Sequence, residues 1–493
     1  MGKTSYVTPE RTTVDGVPVF FLPLPGLLRA ELIFRVGQVD EALPRRGITH
    51  MVEHLAMHFR SHRPDWWRTH ATVEPFVTRF NVRGEPGDIS SFFSQLAASL
   101  SELPVERLPT ELGVLRTEAA TSSGGSVKEI WSHRFGARGL GLSDYREFGL
   151  NWLGPRDVRA WAEERFNAGN AVLWISGEVP ADLRLPLRPG SRFPRPQVNP
   201  LEQATPAFYH QGNTGVALSM LTKAGITTAY VVSELLEDRI RARLRHAEAL
   251  AYETYVQLRA GGITAFADAL PENAGQAAAS LIAIVRDLAE SGHRADELER
   301  VLASNRAARE EPGATLESLN DAARFELGAV TSTISWDDYD REARALTASE
   351  VARATEAALS TALLAIPEDV PFAIDGFTPL PEANGRTFAG SRVIAAPGAG
   401  KDSVIDYSDE GVSISLADGT TDGFGWQDIA AVLWWSDGTR ALLGLDGSAR
   451  RIVPKDWAHP EALFEAIRVR VPADRWVPMD EPATSRPPDE QRL

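Results

Sequence analysis

An apolar run, AVLWISG, closes a series of strand and helix patterns at Gly177, and after a proline-rich stretch the same kind of series starts again. In the first block, alternation around Asp15-Gly16 (VPVFFLPLP, then AELIFRVG) reads as paired strands. GITHMVEHLAMHFR, from Gly47 to Arg60, carries apolar residues at helical spacing, with Thr49 as a plausible cap. An extended stretch, VEPFVTRFNV, precedes the helical patterns ISSFFSQLAASLSEL, Val105 to Ala120 and Pro155 to Asn167. The region from Pro186 to Pro206 reads as a linker. The second block offers a strand (TGVALSMLT), a helical region from Thr227 to Leu258, an extended GITAFADAL, further helices, and a closing strand, VPFAIDG. Two halves of similar length and element order point to an internal duplication. Strands mixed with helices in this way predict an α+β fold of two layered α/β domains, over 1–190 and 205–385.

Beyond about Gly390 the pattern changes to short strands broken by Asp418-Gly419, Asp437-Gly438 and Asp446-Gly447, with a helix from His459 to Arg470. Several hairpins closed by one helix resemble a pleckstrin-homology-like, mostly-β domain over 390–480, followed by a disordered tail at 481–493. Trp434 and Trp435 are read as core aromatics. Ala396-Pro-Gly-Ala-Gly400-Lys401-Asp402 imitates a phosphate loop but lacks its first glycine and its hydroxyl residue, so it is read as an interdomain turn.

With 493 residues, of which 43% are hydrophobic and 24% charged, the chain has the composition of a folded protein of roughly three domains. A net charge of −16 excludes a nucleic-acid partner held by counterion release, and permits a preference for basic peptides. There is no cysteine, so a metal site must use His, Asp or Glu. Met1 to Pro9 lacks a secretory pattern, and no apolar run is long enough to span a bilayer, so a cytoplasmic location is expected.

The chemistry is concentrated in His50-Met-Val-Glu53-His54. Helical residues four apart share a face, so both imidazoles can converge on one cation, and neutral imidazole suits zinc. Glu53 stays near that face and can reach water on the same ion. His58 and His62 continue the spacing and are read as solvated or capping residues. A third ligand is expected from a carboxylate elsewhere, and Glu111 and Glu118, two turns apart, offer a pair.

HxxEH followed by ExxxxxxE resembles the insulinase/pitrilysin family of inverted zincins, to which the processing peptidases belong. The flanks agree: Val14-Asp15-Gly16-Val17, Gly37-Gln-Val-Asp-Glu41 and Gly47-Ile-Thr-His50 resemble the family's DNG, GSxxE and GxxH segments. Leu244-Arg245 to Ala251-Tyr252 resembles its LRxxxxLAY segment. The resemblance covers about residues 10–385. It implies zinc, one ion per chain, held by His50, His54 and Glu118, with Glu111 supporting the site and Glu53 as general base. Arg245 and Tyr252 are implied to bind substrate and stabilise the oxyanion. The implied activity is endopeptidase cleavage of peptides or small unfolded polypeptides inside a dimeric chamber. The partner is implied to be an identical or related chain, and the alternative is a non-catalytic subunit of a peptidase heterodimer. His70-Ala-Thr-Val-Glu-Pro-Phe-Val-Thr78 stands where the family carries a glycine-rich GGxxNAxT segment along which substrate lies.

Overall fold

The computed structural model describes residues 9–59, 68–121, 126–399 and 402–479. His62, Gly400 and Lys401 of the phosphate-loop imitation and the tail at 481–493 therefore lie outside the described residues. The α+β class expected from the sequence holds, with a separate β-rich C-terminal part.

The first sheet contains β1 (Glu10–Val14), β2 (Val17–Phe21), β3 (Leu28–Phe34), β4 (Thr69–Val73), β5 (Thr78–Gly84) and β6 (Ala171–Ile175), in the order β1-β2-β6-β3-β5-β4. Its helices are α1 (Ile48–Met57), α2 (Pro86–Ser101), α3 (Leu108–Thr121), α4 (Ser126–Phe135) and α5 (Pro155–Arg165). The second sheet contains β7 (Ala207–Gln211), β8 (Val216–Leu221), β9 (Thr254–Arg259), β10 (Gly262–Ala267), β11 (Leu363–Pro367) and β12 (Thr378–Pro379), in the order β12-β7-β11-β8-β10-β9. Its helices are α6 (Ile226–Ile240), α7 (Pro271–Ser291), α8 (Ala295–Arg309), α9 (Pro312–Glu326), α10 (Trp336–Ala345) and α11 (Ala348–Leu359). The two orders superpose strand for strand from the second position inward, and the same pair in each, β2/β6 and β7/β11, runs parallel. The duplication seen as a pattern is thus a repeated topology.

Three local readings differ. The helix expected to Leu258 ends in a π-turn at Arg241–Ala247, and Thr254–Arg259 is a strand. Its β-branched and aromatic residues pair with β10, and Ala260-Gly261, both at positive φ, turn the hairpin. The strand closing the second half is not VPFAIDG but the wholly buried LLAIP of β11; Pro371 has no amide to give a central ladder. Helix α4 was not anticipated, because its mostly polar residues give no clear stripe.

Each half lends a helix to the other. Ile130, Trp131 and Phe135 of α4 join a cluster with Ala217, Leu363 and Ala365 of the second sheet, while Leu319 and Ala323 of α9 pack with Val172 and Trp174 of the first. Arg134 reinforces this by donating to Ser219 O (2.8 Å) and Thr361 O (2.9 Å). Glu74 also bridges the halves, meeting Arg324 of α9 at 2.5 Å and Arg79 at 2.8 Å. Burial pushes the Glu74 pKa up, but Arg324, Arg79 and Arg259 outweigh it and hold the carboxyl below its ordinary 4.5. A group so depressed contributes stability that is present above 4.5 and is lost as the pH falls through the lowered value. Glu74→Gln should therefore melt about 2 °C or more below the parent at neutral pH. In acid the difference should vanish. Scanning fluorimetry across the acid range checks this, and a gap that persists there contradicts it.

The C-terminal part holds two four-stranded sheets: β13 (Ser391–Ile394), β14 (Val404–Tyr407), β15 (Gly411–Ser415), β16 (Thr421–Gly425), then β17 (Ile429–Trp434), β18 (Arg440–Gly444), β19 (Ala449–Ile452) and β20 (Trp476–Pro478). Helix α12 (Glu461–Arg470) buries Leu463 and Ile467 between them. The outer face of the second sheet is also apolar. Leu433, Trp435, Leu443 and Val477 pack on Leu43, Leu142, Tyr145 and Phe148 of the first half. Gly136, at φ +71°, allows this close seating: a Cβ there would lie 2.1 Å from Leu445 O. Trp435 is buried in this contact, whereas Trp434 is 38% exposed.

Candidate metal centre

Helix α1 is pinned before it presents any chemistry. Ile48, Met51, Val52 and Leu55 are fully buried against the sheet, each contributing roughly 1.5–3 kcal/mol. Its start is not capped by Thr49. Gly47, at φ +97°, precedes the helix, and the Glu41 carboxylate accepts the amides of Gly47 (3.0 Å) and Thr49 (2.9 Å), placing negative charge at the helix N-terminus. Thr49 instead accepts a hydrogen bond from Trp161 Nε1 at 3.2 Å. Arg46 spans Glu41 (3.1 Å) and Glu147 (3.2 Å).

The polar face of α1 then carries His50, Glu53 and His54, whose ligand atoms lie within 4.8 Å of one another. Helix α3 brings Glu118 across from it, with its oxygens 3.9 Å from His50 Nε2 and 3.6 Å from His54 Nε2. Glu53 Oε2 lies 3.7 Å and 3.9 Å from the same two nitrogens. Glu111 lies on the other side of the His54 ring, with Oε2 3.4 Å from Nδ1. Four of the residues singled out in the sequence thus surround one point, and Glu111 stands behind it. Glu118 is 51% exposed on its side chain, so that point is open to solvent.

Glu147 carries no motif or periodicity that marks it in the sequence. Its carboxylate takes His50 Nδ1 at 3.1 Å, from a run of short turns 97 residues away. Gly47 permits the approach, since a Cβ there would meet Glu147 Cβ at 2.7 Å. Burial disfavours the His50 imidazolium, but the Glu147 hydrogen bond and charge outweigh it, with help from Glu53 and Glu118, and the pKa is pushed up to about 9. The same contact holds Glu147 below the usual carboxylate range, against its burial.

The donor set fits a zinc ion. Nitrogen and oxygen ligands at about 2.1 Å on a tetrahedral centre lie about 3.4 Å apart, close to the separations here. With each Nδ1 held by a carboxylate, both Nε2 atoms are left for the shared point, the arrangement by which outer residues orient metal-bound imidazoles. Four carboxylates around two imidazoles, with Arg46 and Arg107 nearby, also leave an excess of negative charge that a divalent cation would offset.

Arg245 and Tyr252 are elsewhere. Arg245 lies over the Tyr252 ring at 5.1 Å, Tyr252 is 79% exposed, and among the described residues neither makes a hydrogen bond or ion pair with the His50–His54–Glu118 group. Helix α6 and its π-turn, which carry Arg245, follow β8 in the second half as α1 follows β3 in the first. Strand β4 is an edge of the first sheet, pairing only with β5 among the described residues, and α1 packs beside it. His58 follows the end of α1 and is not part of the group within 4.8 Å. Among the described residues no helix is long and apolar enough to cross a membrane.

No family model and no curated protein sequence matches this chain. Solved structures do. A protease from Helicobacter pylori has a TM-score of 0.61 at 14% identity, over 74% of this chain and 99% of that one. A peptidase M16 inactive domain from Pseudomonas fluorescens gives 0.60 at 12%, over 76% and 100%. The first half of the periplasmic protease PqqL from Escherichia coli gives 0.54 at 13%, over 73% and 92%, and the whole of PqqL is covered to 56%. At such identities the likeness establishes architecture rather than activity: this chain has the fold of the M16, insulinase-type peptidases.

Proposed function

We propose that the chain is a zinc-dependent endopeptidase acting on peptides or small unfolded polypeptides, with His50, His54 and Glu118 holding the metal. The observation that carries this reading is the convergence of two Nε2 atoms and two carboxylates on one solvent-accessible point, with each imidazole anchored from behind. Bound there, zinc would supply a Lewis acid that polarises the scissile carbonyl and brings water's pKa towards neutrality. Glu53 takes the proton of the attacking water and returns it to the leaving amine. Glu111 and Glu147 keep the rings turned so that Nε2 faces inward. The peptide lies along the open edge of β4, read chiefly through its backbone. Tyr252 and Arg245 donate to the developing oxyanion. Because they do not reach the centre within their own chain, a second copy or a related chain delivers them across a two-fold chamber.

A non-catalytic subunit is the competing reading. It draws on the likeness to a domain named inactive, but that likeness is one of fold, and every expected ligand type is present here. The test is metal content together with cleavage of a quenched fluorescent peptide library. About one zinc per chain is expected, with cleavage stopped by a chelator and restored by zinc. A folded chain that binds no metal, or that cleaves equally well in chelator, refutes the assignment.

A further inference from the structure

Tyr252 is the most exposed large hydrophobic side chain among the described residues, at 79%, yet the backbone beneath it is held from both sides. Helix α6 runs on into the π-turn Arg241–Ala247, which presents Arg245, and the chain then folds back. Leu250 N and Ala251 N both donate to Leu244 O, at 2.8 and 3.4 Å. Leu250 and Ala251 are buried in the core of the second half. Ala249, just before them, stands at φ +52°, a left-handed conformation that a residue with a Cβ keeps only where its neighbours impose it.

Two carboxylates fix this segment. Before Tyr252, Glu248 accepts Arg243 Nε at 2.7 Å and Ser280 Oγ of α7 at 2.7 Å. After it, Asp268 Oδ1 accepts the amides of both Tyr252 (2.7 Å) and Glu253 (2.8 Å), and Asp268 N donates to Glu253 O at 3.1 Å. Asp268 directly follows β10, and its backbone contact with Glu253 extends the β9–β10 register one step beyond Thr254 and Ala267. The ladder stops there, and the carboxylate stands in for the carbonyl that the Tyr252 amide would otherwise find in a partner strand. Among the described residues Asp268 makes no ion pair, so its charge serves these two amides.

The side chains on the segment are as open as its backbone is fixed. The Arg245 guanidinium is exposed and lies over the Tyr252 ring at 5.1 Å. Among the described residues neither that guanidinium nor the Tyr252 hydroxyl has a hydrogen-bond or ion-pair partner. Two donors therefore stand side by side with their hydrogens unused. Donors on a support ordered in advance lose little further freedom when they meet the group they serve, whereas a loose loop has to be ordered at that moment.

We propose that Asp268 is a positioning residue: by fixing the backbone at Tyr252, it holds the Tyr252 hydroxyl and the Arg245 guanidinium ready to donate to the oxyanion at the metal centre of a second chain. This rests on the peptidase reading for the use made of the two donors. The test compares zinc-loaded Asp268→Ala and Asp268→Asn with the parent. In Asp268→Ala the amides of Tyr252 and Glu253 lose their acceptor and should exchange with deuterium about tenfold faster, while those of α7 keep the parental rate. Its kcat on a peptide that the parent cleaves should fall about ten- to a hundredfold with KM level, since the donors act on the transition state rather than on bound substrate. Asp268→Asn keeps an oxygen that both amides can use, and should return exchange and kcat close to the parent's. A general loosening of the fold would instead quicken the α7 amides and lower the zinc content. Parental exchange at Tyr252 and Glu253 in Asp268→Ala overturns the proposal, and so does a parental kcat. A parent chain that cleaves no peptide defeats the peptidase reading itself and takes the proposal with it, so the parent's own activity tells the two failures apart.

Discussion

Replacing Glu53 with glutamine should leave about one zinc per chain while lowering the rate of peptide cleavage by roughly 10²–10⁴. Glutamine keeps the side chain's size and one carbonyl oxygen, and Glu53 is buried tightly enough that a smaller residue would disturb α1. What the amide cannot do is accept a proton. The two imidazoles and Glu118 are untouched by the change, so metal content should stay level, and a fall in it would show that Glu53 is itself a ligand. Single-turnover kinetics beside elemental analysis separate these outcomes. Undiminished turnover with metal bound would remove Glu53 from the chemistry.

The second large effect is expected at a distance from the bond being broken. Glu147→Ala should weaken zinc binding by about 10–100-fold, measured by competition with a coloured chelator. The carboxylate takes His50 Nδ1 and also Arg46, which in turn meets the Glu41 that caps α1, so its loss frees the ring and slackens the helix start together. Glu147→Gln, which keeps an acceptor but not the charge, should fall between the parent and the alanine form. An alanine variant with parental zinc affinity would show that Glu147 merely fills space.

The histidine pair was legible because helical spacing decides which side chains share a face, whereas the two α3 glutamates stood out only through the resemblance to the ExxxxxxE segment. Glu147 was not, since it acts across 97 residues from turns that have no periodicity. The duplication showed in the order of elements, but Thr254–Arg259 read as helix because the apolar pattern ran on from α6 without a proline. Its strand character is conferred by the partner across the hairpin. The edge strand β4 formed without the glycine-rich segment expected there, so β pairing at that position depends on β5 rather than on glycine.

The seating of the C-terminal sheet on Leu43, Leu142, Tyr145 and Phe148 bears on how a shortened chain behaves. Phe148 immediately follows Glu147, so cutting the chain near 390 would strip the backing from the carboxylate that steadies His50 and bare a greasy surface beside it. Silence from such a truncation would then report a collapsed foundation and clumping, not a lost receptor for some regulator, and generous added zinc is the reagent that tells these apart.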